Sequence, residues 1–174
     1  TVEPKGNFTF TYPATTCSWD VIAFPSGEIV VDSMNVPYLF WEAEGKIDFK
    51  KDGNSVQGSR VRQADVLEFL ESSLTDIGMN GTEKTDFITF WGPTLMKNDE
   101  SIIQFLYNDD VSDLIGNLSI SDSSANINRL YMIIQNAKDF EYELVAPESN
   151  MKFDRTGFDV LEWGGTNLNR KIGF

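Results

Sequence analysis

The chain has 174 residues, with 27 acidic and 14 basic side chains and a formal net charge of −13. Histidine is absent, which excludes Ser-His-Asp and Cys-His nucleophile systems and an ordinary zinc site. The negative charge disfavours nucleic acid and anionic membranes as partners, and no apolar run approaches the roughly 18 residues that predict a membrane-spanning helix. We therefore expect no nucleic-acid binding and no membrane insertion.

The first part of the chain is predicted to form strands. Phe8, Phe10 and Tyr12 alternate with polar residues, which is typical of a half-buried strand. Residues 1–13 are predicted to form an N-terminal arm or strand that ends at Pro13. Further strands are predicted at residues 19–24, 28–32 and 37–43.

The middle of the chain changes to helical periodicity. Apolar residues recur at helical spacing over residues 64–77, and Gly78 is placed to cap the end of a helix. Asn80 and Glu83 have the spacing of a capping box, and Gly92 with Pro93 is expected to end the second helix. The short connection predicts an αα-hairpin over about residues 64–91.

Strand patterns return in the last part of the chain. The candidates are residues 102–107, 118–120, 129–135 and 158–163. Neither a linker nor a repeat separates them from the earlier strands. The sequence therefore predicts one α+β domain over residues 1–174, an antiparallel β-sandwich or barrel-like sheet with the αα-hairpin inserted.

Two short motifs carry a resemblance to a known family. They are PYLFWEA at residues 37–43 and GFDVLEWGG at residues 157–165. Together they resemble an uncharacterised domain of bacterial hypothetical proteins from small genomes, with PYLFWEG-like and GFTVVEWGG-like motifs around a helical segment. Here Ala43 replaces the glycine of the first motif. The domain has no known function, so the resemblance implies no functional residue.

Two glutamates beside tryptophans are the best catalytic candidates. Glu42 follows Trp41 and Glu162 precedes Trp163, so two strands could each present a carboxylate beside an indole. Glycosidases use paired carboxylates, and aromatic rings stack on sugars. A carbohydrate-binding protein or glycosidase is therefore one hypothesis. The alternative is that both tryptophans are core residues and their glutamates face solvent.

Calcium is the cofactor that the composition allows. Asp109, Asp110 and Asp113 cluster in a predicted loop, and residues 98–128 contain no lysine or arginine. Oxygen ligands suit calcium, although the chain lacks an EF-hand loop pattern. The alternative is a solvated acidic face.

Three glycosylation sequons begin at Asn7, Asn80 and Asn117. Sequons are glycosylated only in a secretory compartment. The single cysteine, Cys17, allows no internal disulfide and is predicted to be a buried apolar residue. An extracellular or cell-surface location is the leading expectation, and an intracellular regulatory domain is the alternative.

The scarcity of candidate catalytic residues and the many predicted strands favour a non-enzymatic structural module that associates with other protein chains. Phe8, Phe10 and Tyr12 are its predicted assembly strand, which could add to the sheet edge of a neighbour. Repetition of such a contact would give a homo-oligomer or a filament. The alternative is that this strand pairs inside its own domain.

Overall fold

The computed structural model describes residues 1–169, which form 14 strands and 3 α-helices. The helices are α1 (Val66–Ile77), α2 (Gly81–Leu95) and α3 (Asn108–Leu114). The strands are β1 (Val2–Pro4), β2 (Asn7–Tyr12), β3 (Val21–Ala23), β4 (Ile29–Val31), β5 (Met34–Val36), β6 (Phe40–Glu44), β7 (Lys51–Asp52), β8 (Ser55–Gln57), β9 (Ser59–Arg62), β10 (Glu100–Tyr107), β11 (Gly116–Leu118), β12 (Asn126–Asn136), β13 (Glu143–Val145) and β14 (Asp159–Asn167).

The chain divides into two compact units. The first unit contains Thr1–Lys46 and Ser112–Ser123, and the second contains Ile47–Val111 and the chain from Ser124 onward. Helix α3 begins in the sequence of the second unit and ends in that of the first. The expectation of one domain over residues 1–174 stays a prediction about how the whole chain folds and unfolds.

The second unit is built on a four-stranded sheet in the order β14-β12-β10-β9. Its pairs are antiparallel except β12 with β14, which run parallel. Alternate residues of β12, Leu130, Met132 and Ile134, pack with the buried face of the α1–α2 hairpin in one apolar core. A second sheet, β13-β8-β7, contributes the fully buried Val56.

A buried glutamine satisfies backbone groups beside this sheet. The side chain of Gln104 accepts a hydrogen bond from the Lys50 amide at 2.7 Å and donates to the Lys50 carbonyl at 2.9 Å. It also donates to the Gln57 carbonyl at 3.1 Å. These bonds offset the cost of burying a polar side chain.

The αα-hairpin is confirmed, and both of its predicted caps are present. Gly78 ends α1 in the left-handed conformation, and Asn80 and Glu83 form a reciprocal capping box at the start of α2. The predicted stop at residues 92–93 is wrong, because α2 continues to Leu95. Pro93 lies in the last turn, where fully buried Leu95 packs in the core and the Met96 amide donates to the Gly92 carbonyl.

The first unit has three small antiparallel sheets and few buried apolar residues. The sheets are β1-β11, β2-β6 and β3-β4-β5. Its buried apolar side chains are Val2, Pro13, Val31, Val36 and Ile115. This core is thin for the length of chain that it holds.

The predicted α+β class is confirmed. No sheet of the described residues closes into a barrel, and two strand pairs, β12 with β14 and β8 with β13, are parallel. The acidic loop predicted around Asp109 is wrong, because residues 108–114 form α3. No helix within residues 1–169 is both long enough and apolar enough to span a bilayer.

Candidate protein-association surface

Two tight turns shape the sheet β3-β4-β5. The first is at residues 24–28, where the Phe24 amide donates to the Glu28 carbonyl and the Gly27 amide donates to the Phe24 carbonyl. The second joins β4 to β5 through Asp32 and Ser33, whose φ values are 48° and 68°. Positive φ at both central residues is the geometry of hairpin turns that match strand twist.

The outer strand of this sheet buries no side chain. All residues from 20 to 28 are exposed, and we call this segment the β3 arm. Val21 is 45% exposed, Ile22 62% and Phe24 46%. A strand on a core normally alternates between buried and exposed residues, so β3 is held by its pairing with β4 and not by burial of its own side chains.

Strand register shows that both faces of this sheet present apolar groups. Val21 lies opposite Val31, which lies opposite Met34, so these three side chains share a face. Ile22 lies on the other face, opposite Val30. Further exposed apolar side chains of the first unit are Phe10, Tyr12 and Tyr38, and the Tyr12 hydroxyl lies 3.5 Å from the Met34 sulfur.

All charged residues in the sequence around the β3 arm are acidic. Lysine and arginine are absent from Gly6 to Gly45. The acidic residues of this stretch are Asp20, Glu28, Asp32, Glu42 and Glu44. None of these five carboxylates forms an ion pair with any residue in the part of the chain that the structure describes.

The predicted assembly strand pairs inside the first unit. β2 is hydrogen-bonded to β6, and the Phe8 ring packs edge-on against Trp41 with ring centroids 6.0 Å apart. Phe10 and Tyr12 are about half exposed. Residues 1–13 therefore form two strands, β1 and β2, as the alternative interpretation held. Self-assembly through Phe8, Phe10 and Tyr12 stays a prediction.

The two candidate catalytic glutamates belong to different units. Glu42 is an exposed residue of β6 in the first unit. Glu162 lies on β14 in the second unit, where its carboxylate is ion-paired with the buried guanidinium of Arg129 on the neighbouring strand. This ion pair joins two neighbouring strands, so it gives Glu162 a structural role.

The second tryptophan motif has a packing role. Trp163 is partly buried against Phe87, with ring centroids 5.2 Å apart. A Cβ atom at Gly165 would lie 2.6 Å from the Met132 carbonyl oxygen and 2.8 Å from the Trp91 indole. Gly165 therefore makes room for the indole of Trp91, and Trp163 packs against the same core.

The candidate calcium residues are placed along α3. Asp109 and Asp110 lie in its first turn, and Asp110 is ion-paired with Lys50. Asp113 follows on the exposed side of the same helix. Within residues 1–169, no group of three or more histidine, cysteine or acidic side chains is arranged to hold a metal ion. Calcium binding stays a prediction.

The sequons begin at surface positions. Asn7 and Asn117 are exposed residues of β2 and β11, and Asn80 uses its side-chain oxygen to cap α2. Their occupancy and an extracellular location stay predictions. Cys17, predicted to be buried, is exposed. It lies in the loop between β2 and β3, where its backbone carbonyl accepts a hydrogen bond from the Val2 amide and its amide donates one to the Thr15 hydroxyl.

Sequence reasoning missed the exposure of the β3 arm. A strand is predicted over residues 19–24, which contain the apolar run VIAF, but its exposure is not predicted. A continuous apolar run is typical of a buried strand, so no local signal indicates this exposure. A half-buried strand would alternate.

Comparisons with known proteins add no relative. No protein-family model, curated protein or solved structure matches this chain. The resemblance to the bacterial domain with PYLFWEG-like and GFTVVEWGG-like motifs stays a prediction.

Proposed function

We propose that this protein is a non-enzymatic structural module that associates with another protein chain through the β3 arm. The observation that carries the proposal is that Val21, Ile22 and Phe24 are all exposed along the β3 arm, in which no residue is buried. Exposed apolar groups that cluster in a region with a thin core are typical of surfaces that a partner covers.

The free-energy balance of the first unit supports this proposal. Burial of one large apolar side chain contributes about 1.5–3 kcal/mol relative to leaving it exposed. The first unit leaves Ile22, Phe24 and Tyr38 in water, while its buried apolar side chains are Pro13 and four aliphatic residues, Val2, Val31, Val36 and Ile115. Association with a partner would bury these exposed apolar side chains. Aromatic and apolar side chains of this kind are common hot spots of interfaces.

Edge geometry supports the same assignment. β3 is the edge strand of its sheet, so part of its backbone faces away from β4. Natural proteins commonly protect an edge strand with lysine, proline or a bulge. The three residues of β3 are Val, Ile and Ala, and none of these devices is present within the strand.

Site-specific photocrosslinking tests the proposal. A benzophenone amino acid replaces Ile22 in one variant and Leu67 in a matched control, because Leu67 is 55% exposed on α1 of the second unit. The variants are produced in the organism that makes the protein, and irradiated cells are analysed by blotting. We expect a discrete adduct from position 22 and none from position 67.

The same experiment can contradict the proposal. If position 22 yields no adduct, or the same adducts as position 67, the β3 arm is not an association surface. Mass spectrometry of the adduct distinguishes another protein from a second copy of this chain.

A further inference from the structure

We infer, given the proposed function, that the partner of the β3 arm is a basic protein segment carrying lysine or arginine next to apolar side chains. The inference rests on two features that occur together. The arm exposes Val21, Ile22 and Phe24, and it is bounded by Asp20 and Glu28 with Asp32 at the next turn. An apolar centre with an acidic rim is complementary to an apolar centre with a basic rim.

The carboxylates around the arm form no ion pair within the described part of the chain, and Glu28 accepts one hydrogen bond from the Ser26 hydroxyl at 3.3 Å. Asp20, Glu28 and Asp32 form no ion pair with any of residues 1–169, and the chain from Gly6 to Gly45 supplies no cation. In the second unit, by contrast, acidic residues such as Glu83, Asp99 and Asp110 are paired with lysine or arginine. Charge complementarity at the β3 arm must therefore come from outside the segment.

The same charges disfavour two other occupants. A second copy of the chain would bring a second set of acidic residues to the contact, and like charges across an interface oppose association. An anionic lipid surface would be repelled for the same reason. A basic protein segment is the occupant that satisfies both the apolar and the charged groups.

Defined peptides test this inference in solution. Because β3 is an edge strand, the probe is an alternating Lys-Val peptide with a fluorophore, which can extend as a strand beside it. A Glu-Val peptide keeps the apolar groups and reverses the charge, and a Lys-Ser peptide keeps the charge and removes the apolar groups. We expect the native chain to bind Lys-Val at least about tenfold more tightly than either control peptide.

Two pairs of variants locate the binding. I22S/F24S removes apolar groups from the arm, and L67S/F90S removes similarly exposed apolar groups from the second unit. E28Q/D32N removes two charges beside the arm, and E68Q/D76N removes two exposed charges from α1. We expect each arm variant to bind Lys-Val about tenfold more weakly and each control variant to bind within about twofold of the native chain.

Charge dependence separates this inference from the proposed function. The inference is overturned if Glu-Val binds as tightly as Lys-Val, or if E68Q/D76N weakens binding as much as E28Q/D32N. It is also overturned if light scattering shows that E28Q/D32N dimerises, because the occupant is then a second copy. In each of these cases a specific photocrosslink from position 22 would leave the proposed association surface intact, and only loss of that crosslink would remove both.

Discussion

Asp32 and Ser33 hold the turn beside the candidate surface in a conformation that L-residues rarely adopt. Their φ values are 48° and 68°. Asparagine followed by glycine is the usual pair in such a turn, because glycine has no Cβ to clash at positive φ. The Asp-Ser pair therefore places backbone strain between β4 and β5, next to the exposed arm.

Replacement of Ser33 by glycine is expected to raise the free energy of unfolding by about 0.5–1 kcal/mol. Relief of the left-handed conformation contributes about 1–2 kcal/mol, and the greater freedom of glycine in the unfolded chain offsets part of it. Thermal unfolding followed by circular dichroism measures the change. S123G is the matched control, because Ser123 is an exposed turn residue of the first unit that lacks a positive φ. A lower melting temperature for S33G would contradict the account of this turn.

Tyr131 makes the stability of the second unit depend on pH in the alkaline range. Burial raises its pKa to about 12, Thr166 opposes the shift with a hydrogen bond, and the charge of Glu162 adds to it. The folded-state pKa lies above the unfolded value of 10.0, so the unfolded chain releases this proton first as the pH rises. The stability that Tyr131 contributes is therefore full below pH 10 and is lost between pH 10 and about 12.

We expect the free energy of unfolding to fall above pH 10 by about 1.4 kcal/mol per pH unit for this tyrosine. Chemical denaturation at several alkaline pH values measures the slope. Y131F should lower the slope, because phenylalanine releases no proton. An unchanged slope in Y131F would show that other groups account for alkaline unfolding.

At the scale of elements, the best predicted region is the αα-hairpin. Its periodicity, the glycine after α1 and the Asn80–Glu83 capping box are local signals, so short-range sequence was enough to predict it. Arg155 adds a contact that sequence spacing could not reveal. Its guanidinium pairs with Glu83 through two hydrogen bonds of 2.7 and 3.1 Å and with Asp159 on β14.

Loss of the cap should destabilise the second unit. N80A removes the side chain that accepts a hydrogen bond from the Glu83 amide, and we expect a loss of about 1 kcal/mol in unfolding free energy. T82A abolishes the same sequon without touching the cap, so it separates a glycan effect from a capping effect. Urea denaturation should rank N80A well below T82A and the native chain. Equal loss in both variants would assign the effect to the sequon.

The elements that were predicted wrongly from the sequence are short or are determined by contacts with distant parts of the chain. α3 was expected to be a loop because its aspartates are acidic and polar, but Asp109 and Asp110 lie in the first turn of a helix, where negative charge is favourable. The position of β3 was predicted, whereas its exposure was not. Exposure depends on which other segments cover a strand, and no local pattern encodes that.

At the scale of the whole molecule, charge and apolar burial are unevenly divided. The second unit holds the large core, with the four-stranded sheet against the αα-hairpin, and many internal ion pairs. The first unit has few buried side chains, an exposed apolar strand and a stretch of sequence, Gly6 to Gly45, whose charged residues are all acidic. This division favours a stable second unit and a first unit completed by a partner.

The net charge of −13 bears on where such a partner binds. A uniformly acidic chain would attract basic partners over its whole surface. The first unit has 8 acidic and 2 basic side chains in 58 residues, and the second has 19 and 12 in 116 residues, so the net negative charge per residue is higher in the first unit. The salt dependence of association should therefore follow variants of the β3 arm and not variants of α1.

We expect the β3 arm to be exposed in the isolated chain and covered in the protein's natural setting. Hydroxyl-radical footprinting of the purified chain and of the same chain in its source material measures this directly. We predict that Ile22 and Phe24 are labelled strongly in the purified chain and are protected in the source material, whereas Leu67 is labelled equally in both. Equal labelling of Ile22 and Phe24 in the two samples would contradict the claim.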